Sequence, residues 1–161
     1  VSANSFALHV PRSFAGLNGS GLAIRAEGKV EVDGQLLVKN SPCIAVSLPK
    51  ASNEAFVEGD LVTIENGVAA KMRSENQTFV GVVTKNAAIE LEASTAAIKV
   101  SVAGIVPLRV FGQVKAGDKL VLNPSQPGTC KVGQGQEKVF AVALDTSTND
   151  REKQVLAILT K

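Results

Sequence analysis

From Gly21 to Asn40 the chain reads GLAIRAEGKVEVDGQLLVKN, with an apolar residue or glycine at every even position from Leu22 to Val38. Nearly every odd position is charged or polar. Side chains of an extended strand point alternately to opposite faces, so a period of two held this long dictates β structure with one face buried. The buried set is Leu22, Ile24, Ala26, Val30, Val32, Leu36 and Val38; the opposite face carries Arg25, Glu27, Lys29, Glu31, Asp33, Gln35 and Lys39. One straight strand of about 18 residues would run roughly 60 Å, several times the usual length, so the stretch is expected to bend. Gly28 and Gly34, both on the apolar parity, are the places to turn.

The rest of the sequence is also punctuated for β structure. Short Val, Ile and Leu runs are broken by Gly, Pro, Asn and Asp every eight to twelve residues or so, the spacing of an all-β sandwich or barrel. Strands are expected near 5–10, 22–26, 29–33, 35–39, 43–48, 60–65, 68–72, 78–84, 97–103, 105–110, 119–122, 129–132, 138–144 and 154–160. Asn66-Gly67, between LVTIE and VAAKM, is a two-residue hairpin turn, because both positions accept positive φ. AAIELEAST, Ala87 to Thr95, is the one stretch with helical character and is read as a loop or a single turn.

A weak internal repeat organises the C-terminal part. Residues 58–84 align with residues 116–146: each begins with Gly-Asp (59–60 and 117–118), runs into an aliphatic strand and crosses a turn. Each then presents a small residue and a lysine, Ala70-Lys71 and Cys130-Lys131, before a Phe-led strand at Phe79 or Phe140. Such self-similarity suggests a duplicated β-hairpin unit sharing one core. The expected organisation is an extended, oligomerising β segment over residues 1–40 and a compact barrel or sandwich over 41–161. Ser41-Pro42 forms the joint, since the residue before proline is held extended.

Composition narrows the function. The 161 residues suffice for a domain with a real core, and 17 basic against 15 acidic residues leave +2 with no basic cluster, so no nucleic-acid partner is expected. Six Phe are the whole aromatic supply, and the absence of Trp and Tyr disfavours sugar binding. No apolar run reaches the 18 or so residues of a membrane helix, so no membrane insertion is expected. Val1 in place of Met fits a processed product or an excised fragment, from which a signal or anchor could have been lost.

Candidate chemistry is sparse, and the chain is read as a non-enzyme with no catalytic, cofactor-binding or metal-binding residues. His9 is the only histidine, so a His-based metal site or a serine relay would rest on one residue. Asp60 and Asp118 resemble an acid–base pair, but their equivalent places in the repeats make them turn residues. Cys43 and Cys130 fit neither a metal knuckle nor a CxxC motif and are read as two small buried residues, with a disulfide as the alternative. GQGQ (133–136) and AGLNGSG (15–21) lack the Gly-Lys-Ser/Thr ending of a phosphate loop and read as flexible loops; NDREK (149–153) reads as a solvated turn.

Two resemblances lie on these residues. ALHV (7–10) with GLAIRAEGKVEVDGQLLVKN resembles the trimeric fibrous tail fibres and spikes of phages and viruses, in which short alternating strands separated by glycine intertwine into a shaft. GDLVTIENGVAAK, FVGVVT, VSVAGIVPLRV, VKAGDKLVLN and FAVALDTS together are similar to small β-barrel capsid-decoration proteins and to β modules on phage tail and fibre proteins. These resemblances imply a virion structural component located in the virion or outside the cell, with other virion proteins and a host surface receptor as partners. The alternatives are a capsid-decoration module and an extracellular adhesion or carbohydrate-binding domain. If copies gather around a threefold axis, Leu22, Ile24, Val30, Val32, Leu36 and Val38 turn inward and strand edges pair between chains, giving an expected homotrimer.

Overall fold

The computed structural model describes residues 43–51, 53–91 and 97–160. The chain divides into two units, Val1–Leu36 and Leu37–Lys161, and every described residue belongs to the second. His9, the AGLNGSG stretch and the expected interface residues Leu22, Ile24, Val30, Val32, Leu36 and Val38 lie outside the described residues.

The described residues contain strands and no α-helix. In chain order the strands are β1 (Cys43–Pro49), β2 (Leu61–Glu65), β3 (Val68–Lys71), β4 (Gly81–Val83), β5 (Ile89–Leu91), β6 (Ala97–Val110), β7 (Lys119–Leu122), β8 (Cys130–Val132), β9 (Val139–Ala143) and β10 (Lys153–Leu159). The β2–β3 hairpin turns through Asn66 (φ 50°) and Gly67 (φ 80°), the left-handed pair that a two-residue turn requires.

β6 is the organising strand because its two halves serve different sheets. Its C-terminal half pairs with β10, which pairs with β9, then β7, then β8, and β8 returns to β6 through Val110↔Cys130. That ring is a closed five-stranded barrel. Its N-terminal half pairs with β1 and β4; β4 continues to β2 and β3, and a single parallel bridge, Lys50↔Ala69, joins β3 to the end of β1. The two sets therefore share one wiring, β1-β2-β3-β4-β6 in the first and β6-β7-β8-β9-β10 in the second. Gly104, at φ 106°, lies within β6 between the halves.

Register makes the correspondence residue by residue. Gly59 N–H donates to Val83 O (2.9 Å) as Gly117 N–H donates to Ala143 O (2.8 Å), and Thr84 donates to Lys99 O as Leu144 donates to Leu156 O. Lining the first barrel, Val46, Leu48, Val62, Ala69, Val80, Val83 and Val100 take the places that Val106, Leu108, Leu120, Cys130, Phe140, Ala143 and Ala157 hold in the second. The same register corrects the sequence alignment of the repeats by one residue. Ala69, not Ala70, stands opposite Cys130, and Val80, not Phe79, opposite Phe140, because hydrogen bonding follows the Gly-Asp turn rather than residue likeness.

Two further expectations change. Residues 87–95 are read from sequence as a loop or turn, yet Ile89–Leu91 form β5, drawn extended by parallel pairing with β1 (Ile44↔Ile89). Strands 97–103 and 105–110 are one strand. The cysteines are both buried and form no disulfide, Cys43 Sγ donating to Asn86 O (3.5 Å), and burial pushes the Cys130 thiol up to about 12.

The repeated turn supplies an internal control. In each copy an aspartate carboxylate accepts from the amide three residues earlier, Val57 N (2.9 Å) to Asp60 and Lys115 N (2.8 Å) to Asp118, and a glycine with left-handed φ precedes it. A Cβ at Gly59 would sit 2.8 Å from Arg109 N, whereas one at Gly117 would meet nothing within 4 Å. Gly117→Ala is expected to cost about 1–2 kcal/mol for the left-handed backbone alone. Gly59→Ala should cost about 1–3 kcal/mol more for the added collision. Urea unfolding of the two variants measures the difference; equal losses would contradict it.

Candidate functional site

The most developed polar arrangement among the described residues is built around Asp60, which is 0% exposed. Its Oδ2 accepts from Val57 N (2.9 Å) and pairs with Lys71 Nζ (3.0 Å), while Oδ1 takes the Arg109 Nη1. Arg109 also grips Glu152, with Nε donating to Oε1 at 2.8 Å and Nη2 at 2.7 Å from the same oxygen. A buried carboxylate needs its lone pairs matched and its charge balanced, and here both oxygens are engaged by cations. Burial works against the Arg109 charge, but hydrogen bonds to Glu152 and Asp60 overcome that and hold its pKa above the ordinary value.

This cluster stitches the duplicated halves together. Asp60 is the aspartate of the first Gly-Asp turn, Lys71 ends β3 of the first barrel, Arg109 lies in the second-barrel half of β6, and Glu152 precedes β10. The β7–β8 connection completes the seam: Gly128 O accepts from Leu61 N (2.8 Å), and Gly128 N donates to Met72 O (2.8 Å). A Cβ at Gly128 would lie 3.1 Å from Asp60 Oδ1.

Beside the cluster is an open cleft of about 510 Å³, whose lining includes Phe56, Val57, Glu58, Lys85, Arg109 and Glu152. Of its charges, Lys85 pairs with Glu58 at 3.3 Å and Arg109 with Glu152, while Lys153 Nζ donates to the carbonyls of Gly112 and Asn149. Chemically the arrangement anchors strands; Asp60 is shut away from solvent. Among the described residues no group of three or more His, Cys, Asp and Glu side chains is placed to hold a metal ion, and no helix is long and apolar enough to cross a membrane.

The remaining sequence candidates are distributed as follows. Asp118, the partner of Asp60 in the supposed acid–base pair, sits in the equivalent turn of the other repeat, where its carboxylate accepts from Lys115 N (2.8 Å). The GQGQ loop is tethered: Glu137 accepts from Gln134 N (2.8 Å) and pairs with Lys131 (3.0 Å), and these contacts hold its carboxyl below the usual range. The NDREK turn is folded on itself, with Arg151 N donating to Asn149 Oδ1 (2.9 Å) and Lys153 Nζ to Asn149 O (2.6 Å), and it delivers Glu152 to Arg109. The Asp60 cluster is a role that sequence reasoning missed.

The fold these elements define is an all-β one with a closed five-stranded barrel. No protein-family model matches the chain, and no curated protein matches it. Among solved structures it is similar to the pre-mature gene product 12 of bacteriophage phi29, with a TM-score of 0.64 at 12% identity, over 83% of this chain and 23% of that one. It is also similar to a C-terminal fragment of the same gene product, with a TM-score of 0.54 at 11% identity, over 73% of this chain and 99% of the fragment. The chain thus spans less than a quarter of the pre-mature protein, and the likeness is one of fold.

Proposed function

We propose that this chain is a non-enzymatic structural component of a phage-like particle, a fibre or spike segment that acts by self-assembly and attachment. The observation that carries the reading is the fold shared with phage gene product 12, including almost the whole of its C-terminal fragment. The alternating stretch 22–38 supports it independently, since a one-faced apolar strand path needs a cover and copies of itself around a threefold axis supply one. In this reading Leu22, Ile24, Val30, Val32, Leu36 and Val38 form the inward face of a homotrimer, other particle proteins flank it, and a host surface receptor is the attachment partner.

The test is solution mass. The wild-type chain should sediment at three chain masses, and Val30→Glu with Val32→Glu should shift it towards monomer. Wild-type mass retained by the double variant would remove residues 22–38 as the assembling face.

A further inference from the structure

The two barrels share one wiring but are not sealed alike. Among the described residues β1 meets β3 through the bridge Lys50↔Ala69, and the second barrel closes in the matching way through Val110↔Cys130. Val110 is buried in the main core, whereas Lys50 is exposed. Beside the first seam lies a hollow of about 270 Å³, whose lining includes Ala51, Glu54, Val68, Ala70 and Arg73.

The linings behind the two seams differ in the same sense. Val106, Leu108 and Phe140 of the second barrel are buried, while their counterparts Val46, Leu48 and Val80 are only half-buried. Aliphatic area left within reach of water adds less stability, and regions of low local stability open without the rest of the fold. The strands across the seam are held from outside. Leu61, Met72 and Val82, each 0% exposed, belong to the main core, and Asp60 is gripped by Arg109. What spans the seam is one carboxylate: Glu54, beyond the end of β1, accepts from Lys71 N (3.0 Å) at the end of β3 and pairs with Arg73 Nη2 (2.6 Å). The Arg73 side chain is exposed, so that ion pair is weak.

We infer that the first barrel is gated at this seam: β1 parts from β3 and recloses while β2, β3 and β4 stay docked on the second barrel, with Glu54 as the latch. The open gate presents two unpaired strand edges and the aliphatic lining behind them. The second barrel, closed by buried residues, stays shut over the same time.

The duplication supplies the probe. Ala69 is 0% exposed and holds the place of Cys130, so Ala69→Cys in the full chain sets matched thiols inside the two barrels. Iodoacetamide under native conditions, with the labelled sites read by peptide mass, should reach the new thiol roughly tenfold or more faster than Cys130. Glu54→Ala should raise that rate and leave the Cys130 rate unchanged. Labelling no faster than that of Cys130 overturns the gate, and a rate that Glu54→Ala does not move overturns its latch. Hydrogen exchange should leave the β2–β3 amides protected over the same time; their exchange at the labelling rate would mean that the first barrel unfolds whole, and overturns the gate as well. Should Ala69→Cys fail to fold, Val62→Cys makes the comparison without added bulk, since Val62 also lines the first barrel at 0% exposure.

Discussion

Asp60→Ala should lower the unfolding free energy by about 2–4 kcal/mol, because the partly buried Lys71 loses its counter-charge and Arg109 keeps only Glu152. The carboxylate is 0% exposed and accepts from Lys71, Arg109 and the Val57 amide, so alanine removes the acceptor of three donors at once, of which Arg109 alone retains a carboxylate, Glu152. Asp118→Ala removes the same turn bond from a less buried place and should cost about 1 kcal/mol, the net worth of an ordinary hydrogen bond. Asp60→Asn should fall between, since an amide keeps the shape but neutralises no cation. Chemical denaturation of the three variants measures the ordering. Equal losses for Asp60→Ala and Asp118→Ala would mean that the cluster carries no stability beyond the turn.

Phe140→Ala should cost about 3–5 kcal/mol, the range for emptying a large buried aromatic site. Phe140 is 1% exposed in the core of the closed barrel, and the Phe79 ring lies 5.0 Å from its own, centroid to centroid and tilted by 54°. Lys138 Nζ sits 5.7 Å from the centroid of the Phe140 ring. Val80, the matching residue of the first barrel, is only half-buried and smaller, so Val80→Ala should cost clearly less. Because the whole domain is held by a margin of about 5–15 kcal/mol, the Phe140 variant alone could remove a large part of it. Thermal or urea unfolding reads the pair; a Phe140→Ala loss no larger than that of Val80→Ala would contradict the placement of the main core.

Most of the described strands were legible because they are runs of aliphatics between residues that stop extension. Asn66-Gly67 fixed the β2–β3 turn, and the twin Gly-Asp pairs marked the duplication, since only a repeated backbone geometry asks twice for a left-handed glycine followed by a carboxylate. β5 was not legible because three residues carry no period; their extension comes from the neighbouring β1. The single β6 was hidden by Gly104, which reads as a break and is a position of positive φ inside a continuous strand.

The Asp60 cluster shows the limit most clearly. Two Gly-Asp pairs look alike in sequence, and what separates them is the residue each carboxylate meets across the fold. In register Lys71 matches Val132, so only the first aspartate has this lysine. Aligning by residue likeness instead sets Lys71 against Lys131, whose partner is Glu137, and makes the two sites appear equivalent. Arg109 lies 49 positions from Asp60, a pairing that only the path of β6 discloses.

The central claim is that this chain works by assembling with itself, and the mass of the wild-type protein in solution tests it most directly. Sedimentation equilibrium at micromolar concentration should return three chain masses, and a single chain mass at every concentration would contradict the account.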